Sequence, residues 1–177
     1  ITFSRAGILS LGAGLIISLA IFTWNRGLRA IFTQILPILA IIIISIGVLW
    51  PHLTTRATVT DNSSKERVFY NQIATKIIAD KPFLGAAPGT SVLHMKQYSP
   101  EPLEPWEIQP IHNYYLLSWA EWGIGAIPLL LLIISPIFAL IKRKIDDWSV
   151  ILLAISVSFL VLLLFDHYLY TLWPTQI

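Results

Sequence analysis

Four long apolar runs, almost free of charge, limit what this chain can fold into more than any other feature. They cover roughly Ala6 to Trp24, Ile31 to Trp50, Tyr115 to Ile141 and Trp148 to Phe165. Each approaches or exceeds the ~20 residues that carry a helix across a bilayer core. A helix at the surface of a soluble domain keeps one polar face. The stretch Ile38-Leu39-Ala40-Ile41-Ile42-Ile43-Ile44 has none. Trp24, Trp50, Trp122 and Trp148 stand near run ends, where interfacial aromatics collect. The expected fold is all-α: a polytopic membrane protein with four transmembrane helices, forming a single membrane domain over 1–177.

Composition agrees. Only 12% of the 177 residues are charged, half the share usual in a soluble domain, about 25%. Cysteine is absent, which excludes a disulfide framework and a thiolate metal site. A formal charge of +2 without a basic stripe gives no reason to expect nucleic acid. The chain opens on Ile1 rather than Met and is expected to be a fragment of a longer membrane protein.

The short connections set the orientation. Arg26 and Arg29 follow the first run, and Lys142, Arg143 and Lys144 follow the third. Short loops rich in Lys and Arg stay cytoplasmic. Both basic loops fall on one side if all four runs span. The residues 51–113 between the second and third runs are then extracytoplasmic, as are both ends of the chain.

That outer stretch carries one clear helix signal. Ser63-Ser64-Lys65-Glu66 reads as a capping box, and Phe69, Ile73, Ala74, Ile77 and Ile78 recur behind it at helical spacing. Asp80-Lys81-Pro82 ends the pattern. This helix is expected on the membrane surface or capping the bundle. A turn-rich segment follows, Pro82 to Thr90. Residues 98 to 110 hold four prolines among acidic residues and predict an irregular, mobile loop. Pro37, Pro128 and Pro136 lie inside apolar runs, as kinked membrane helices allow.

The topology gathers a set of polar residues at the outer face: Arg5, Arg56, Arg67, His112, Asn113, Asp166 and His167. His112-Asn113 stands where the third helix begins. Free N–H groups and the positive dipole end there favour an anion, and the same field keeps an imidazole neutral, as a general base must be. The bland reading is a His that merely caps the helix. Arg5 and Arg67 are candidates to grip phosphate oxygens, since a guanidinium can do so bidentately. Otherwise Arg5 is a snorkelling anchor and Arg67 a solvated partner of a nearby carboxylate. Arg56 has plain loop flanks. Glu121 falls about two turns into the third helix, either as a functional intramembrane carboxylate or as a hydrogen-bond partner of a neighbouring helix. Asp166 and His167 are either a second polar contribution to the site or ordinary interfacial residues. The four histidines are scattered with no metal-binding spacing, so no metal is expected. No nucleotide-binding or other cofactor motif is visible. Any group transfer must therefore use an already activated donor.

In order, Ser4-Arg5, Glu66-Arg67, Pro82-Phe83-Leu84-Gly85 … Pro88-Gly89 and His112-Asn113-Tyr114-Tyr115-Leu116 … Glu121-Trp122-Gly123-Ile124-Gly125 resemble the O-antigen ligase and polymerase superfamily over nearly the whole chain. The resemblance implies a glycosyltransferase on the outer side of the bacterial cytoplasmic membrane. It would take a glycan from an undecaprenyl diphosphate carrier and pass it to lipid A core, a polysaccharide or a protein. It also implies that Arg5 and Arg67 hold the diphosphate and that His112 activates the acceptor hydroxyl. The superfamily's glycine-rich turn usually has another Gly where this chain has Ala87, and a further helix is expected beyond Ile177. The rival reading is a non-enzymatic carrier, half of a transporter or flippase that binds an anionic or lipid-linked solute. A carrier needs its charges near the bilayer midplane, and these cluster at one face.

Overall fold

The computed structural model describes residues 5–27, 62–141 and 146–167, with parts of 32–47. Among the described residues the regular structure is helical, without strands. The principal helices are α1 (Arg5–Arg26), α2 (Asn62–Asp80), α3 (Ser91–Tyr98), α4 (Tyr114–Trp122), α5 (Ala126–Ile141) and α6 (Asp147–Leu162). Two compact units form. One comprises Ile1–Asp61 and Pro136–Phe159, the other Asn62–Ser135 and Leu160–Ile177.

The first unit is built from helices apolar on all sides. In α1 the hydroxyls of Ser10, Ser18 and Thr23 donate to the carbonyls of Gly7, Gly14 and Ala20 at 2.9–3.0 Å. Their polarity is thus satisfied inside the helix, as hydrocarbon surroundings demand. A Cβ on Gly14 would collide with Ser158 and the Ala154 carbonyl, so α1 and α6 approach closely at a small residue. Ile8, Leu9, Ile16 and Trp24 on α1, and Trp148, Leu152 and Ile155 on α6, remain exposed. The start of α6 is capped by Asp146, whose Oδ1 accepts from the Ser149 N–H at 2.8 Å and from its hydroxyl.

Of the four expected spans, two helices among the described residues are long and apolar enough to cross a membrane: Ala6–Trp24 and Tyr114–Leu140. At 16 residues, α6 is shorter than the usual ~20-residue span. The second run lies largely outside the described residues, as do Arg29 and 142–145.

The second unit has a core of its own. Tyr70, Ile73, Ala74 and Ile77 of α2 pack with Met95 of α3, Leu117 and Ala120 of α4, and with Ala86 and Ile111. The face read from the spacing is the buried one, and α2 starts at Asn62, close to the expected cap, and ends at Asp80. The third run departs from a single helix. It starts at Tyr114, leaves α-geometry at Gly123–Gly125 as a 3-10 turn, and resumes at Ala126.

The break has a clear cause. The segment after α2 docks its backbone there: Ala86 N–H donates to the Ala120 carbonyl (2.8 Å) and Ala87 N–H to that of Glu121 (3.1 Å). The Ile124 N–H donates back to the Phe83 carbonyl at 3.1 Å. The carbonyls at the end of α4 thus gain outside partners in place of a helical continuation. Gly85 and Gly123 face each other across this contact, both with positive φ, and a Cβ on either would strike the opposite backbone. Ala87 takes φ +89° in the same turn, a conformation that costs a residue with a Cβ more than it would cost glycine.

Glu121 completes the junction. It is only 2% exposed, and its carboxylate accepts from the Gly89 N–H (2.7 Å) and the Ser91 N–H (3.1 Å). Ser91 is the first residue of α3, whose N-cap Thr90 makes no side-chain cap bond. The carboxylate therefore substitutes for a local cap and meets the positive end of that helix.

Removing this carboxylate strands the buried Ser91 N–H, while the Gly89 N–H, on an exposed residue, can turn to water. Glu121→Ala is expected to destabilise the protein by about 1–3 kcal/mol, the cost of one unmet buried donor. Glu121→Gln, with one acceptor oxygen, should lose less. Thermal melts of the two variants in detergent check the order.

Candidate functional site

His112 lies one residue before the cap of α4. Asn113 is that cap: its Oδ1 accepts from the N–H groups of Tyr115 (3.1 Å) and Leu116 (3.2 Å). The Tyr114 N–H donates to the Leu163 carbonyl (2.9 Å) and the Leu117 N–H to that of Asn113 (2.8 Å). All four leading donors of α4 thus have protein partners, which leaves no open N–H row for an anion. The dipole end remains and still disfavours charge on His112.

The same contacts bring Asp166 and His167 to this place. The Leu163 carbonyl holds the chain after α6 to the start of α4, and Tyr115 Oη donates to the Leu160 carbonyl at 2.9 Å. The His167 ring then meets the His112 ring edge to face, centroids 4.7 Å apart. On its other side His112 stacks on Tyr70, at 5.5 Å and 22° between planes. Asp166 Oδ1 accepts from the His167 N–H at 2.8 Å.

Arg67 and Asn71 join from α2, where their i,i+4 spacing puts them on one face with Tyr70. The Arg67 guanidinium lies over the Phe165 ring, 5.9 Å from its centroid. Arg67 Nε, Asn71 Oδ1 and His112 Nδ1 are buried and lack hydrogen-bond partners among the described residues. Buried polar atoms are satisfied in the great majority of cases, so each exception asks for an explanation. Here all three belong to two elements that meet at one imidazole.

Electrostatics keep that imidazole neutral. Burial lowers the His112 pKa below its ordinary 6.5, and the Arg67 charge lowers it further; Asp166, the Pro110 carbonyl and Glu66 pull weakly the other way. His167 is lowered by burial and by His112, against Asp166. Two uncharged imidazoles beside a fixed guanidinium can accept a proton and hold an anion. No group of His, Asp and Glu suited to a metal ion occurs among the described residues.

Of the other expected site residues, Glu121 is committed to the backbone of Gly89 and Ser91. Arg5 is the first residue of α1, in the other unit. Its side chain, and Arg56 altogether, lie outside the described residues. Tyr70 and Asn71 did not stand out in the sequence. The signal available was their spacing, three and four residues after Arg67 on the same helix.

Comparison with known proteins adds a family. Residues 1–131 match the O-antigen ligase family, a match that includes Arg5, Arg67, Asn71 and His112. No curated protein and no solved structure matches the chain.

Both histidines are neutral in the fold and accept protons more readily when unfolded. Stability is therefore complete above about pH 6.5 and falls as pH drops through the unfolded value toward the lowered folded ones. The expected result is a melting midpoint a few degrees lower at pH 5.5 than at pH 7.5. His112→Gln with His167→Gln should flatten that slope, as thermal melts in one detergent at both pH values can check.

Proposed function

Since the chain belongs to the O-antigen ligase family, we propose that it is a membrane glycosyltransferase that moves a glycan from an undecaprenyl diphosphate carrier to an acceptor hydroxyl. The acceptor is lipid A core, a polysaccharide or a protein, and the site faces the outer side of the bacterial cytoplasmic membrane. The observation that carries this reading is the neutral, half-buried His112 beside the unpaired Arg67 Nε.

The reaction is a single displacement. The acceptor oxygen attacks the anomeric carbon and its proton passes to a ring nitrogen of His112. The bond from that carbon to the diphosphate oxygen breaks, and the electron pair leaves with the diphosphate. Negative charge builds on this leaving group, where Arg67 and Arg5 stabilise it through charge-assisted hydrogen bonds. The Arg67 cation has a second effect: it holds the His112 pKa down until the base is needed. Asp166 offsets the imidazolium that forms. Inversion at the anomeric carbon follows from this chemistry, and a retained configuration in the product would exclude it.

The test compares wild type with His112→Ala, Arg67→Ala and Arg5→Ala, expressed in a deletion strain at matched membrane abundance. The readout is surface glycan on a gel. Loss of the base should reduce transfer by about 10²–10⁴-fold. Both arginine variants should likewise lose glycan while lipid-linked donor accumulates. Normal glycan in all three would overturn the reading.

A further inference from the structure

A second feature of the His112 unit is unused by this mechanism. A cleft of about 300 Å³ lies between the first half of α2 and residues 101–109. Its walls include Lys65, Glu66, Tyr70, Glu101, Trp106 and Glu107. The segment opposite α2, irregular as its prolines suggested, carries one defined turn. Pro105–Glu107 forms a 3-10 turn with a reciprocal capping box between Glu104 and Glu107. The Glu104 N–H donates to Glu107 Oε2 (2.9 Å), and Gln109 Nε2 donates to the Trp106 carbonyl (2.7 Å). Tyr70 Oη fastens the turn to α2 through the Glu107 carbonyl, at 2.9 Å.

This framework leaves Trp106 69% exposed at the cleft, although the chain has an apolar core in the same unit. A large indole held out to solvent by a fixed turn, among carboxylates, is the lining expected of a binding site for a ligand with both apolar faces and hydroxyl groups. The three glutamates outnumber the one lysine, so the cleft disfavours an anion and is unsuited to the diphosphate. Ligand pockets run from about 300 to 1,000 Å³, and this one is at the lower bound, a size for sugar rings rather than a polyprenyl chain. Tyr70 is the shared wall. It lines the cleft on one side and stacks on His112 on the other.

We propose that this cleft is a saccharide subsite, in which an uncharged sugar of the transferred or accepting glycan stacks on Trp106 and donates hydroxyl hydrogen bonds to Glu66 and Glu101. The proposal rests on the glycan-transfer reading, since it assigns the subsite to that reaction. Its place next to Tyr70 puts the bound sugar one aromatic ring away from His112. Donor and acceptor glycans share the required chemistry, and kinetics separate them.

The test uses the full-length protein in nanodiscs. It compares wild type with Trp106→Ala, Trp106→Phe and Glu101→Gln, all exposed positions. The binding probe is oligosaccharide released by mild acid from the surface glycan of the cells that make the protein, observed by saturation-transfer NMR. The kinetic probes are lipid-linked glycan and acceptor extracted from those cells. Trp106→Ala should weaken oligosaccharide binding and raise one KM by about tenfold, with kcat within twofold and Trp106→Phe largely restoring both. A raised donor KM assigns the cleft to the transferred glycan, a raised acceptor KM to the acceptor. Unchanged binding and unchanged KM values in a wild-type protein that transfers glycan would overturn the subsite while leaving the transferase reading intact. Trp106-dependent binding in a protein that transfers nothing would do the reverse.

Discussion

The second unit depends on a carboxylate that is buried and fully used. Glu121 comes from the last turn of α4 and accepts from the first N–H of α3 and from Gly89 before it. Burying a carboxylate is costly unless charge-assisted hydrogen bonds compensate it. Two backbone donors and a helix N-terminus supply that compensation. In return one side chain fixes α3, the 83–91 turn and the end of α4 as a block. The Gly85–Gly123 contact closes the same junction from the backbone side. Because α4 is held at its end, its beginning is held too, and the beginning is where His112 and Asn113 stand.

At that beginning the helix uses its own donors through Asn113 and Leu163. What is left for a ligand is side-chain chemistry: a neutral imidazole, a guanidinium with an unpaired Nε, and an amide oxygen on the same α2 face. Tyr70 and His167 fix the His112 ring plane from two sides. A base whose ring is held by packing has less freedom to lose when it meets a substrate. Arg67 contributes twice in the proposed chemistry, by lowering the affinity of His112 for a proton and by attracting the anionic leaving group.

Much of this was legible in the sequence because local signals carried it. The apolar spacing from Phe69 to Ile78 found the buried face of α2, and the capping pattern placed its start two residues late, since the helix already includes Asn62 and Ser63. The His112-Asn113 boundary was legible because Asn is a strong cap ahead of an apolar run. Nonlocal contacts hid the rest. Helix α3 has only eight residues and no cap of its own; the carboxylate that starts it lies thirty positions away. The break at Gly123–Gly125 looked like continuous span because its cause is the docked backbone of residues 83–87. Tyr70 lay outside the apolar spacing that was read, and residues 98–110 read as an irregular, mobile loop because their capping box uses Glu104 and Glu107, which composition alone marks as merely acidic. Glu121 was left between a functional and a structural role, and its two hydrogen bonds give it a structural one.

The proposed mechanism turns on His112 as the proton acceptor in glycan transfer. Its sharpest test is single-turnover transfer by the purified full-length protein, measured across pH for wild type and His112→Gln. The wild type should show an acid limb with its midpoint below pH 6.5, and His112→Gln a slow residual rate from which that limb is gone. An unchanged limb in His112→Gln, or a variant as fast as wild type at neutral pH, would rule His112 out as the base.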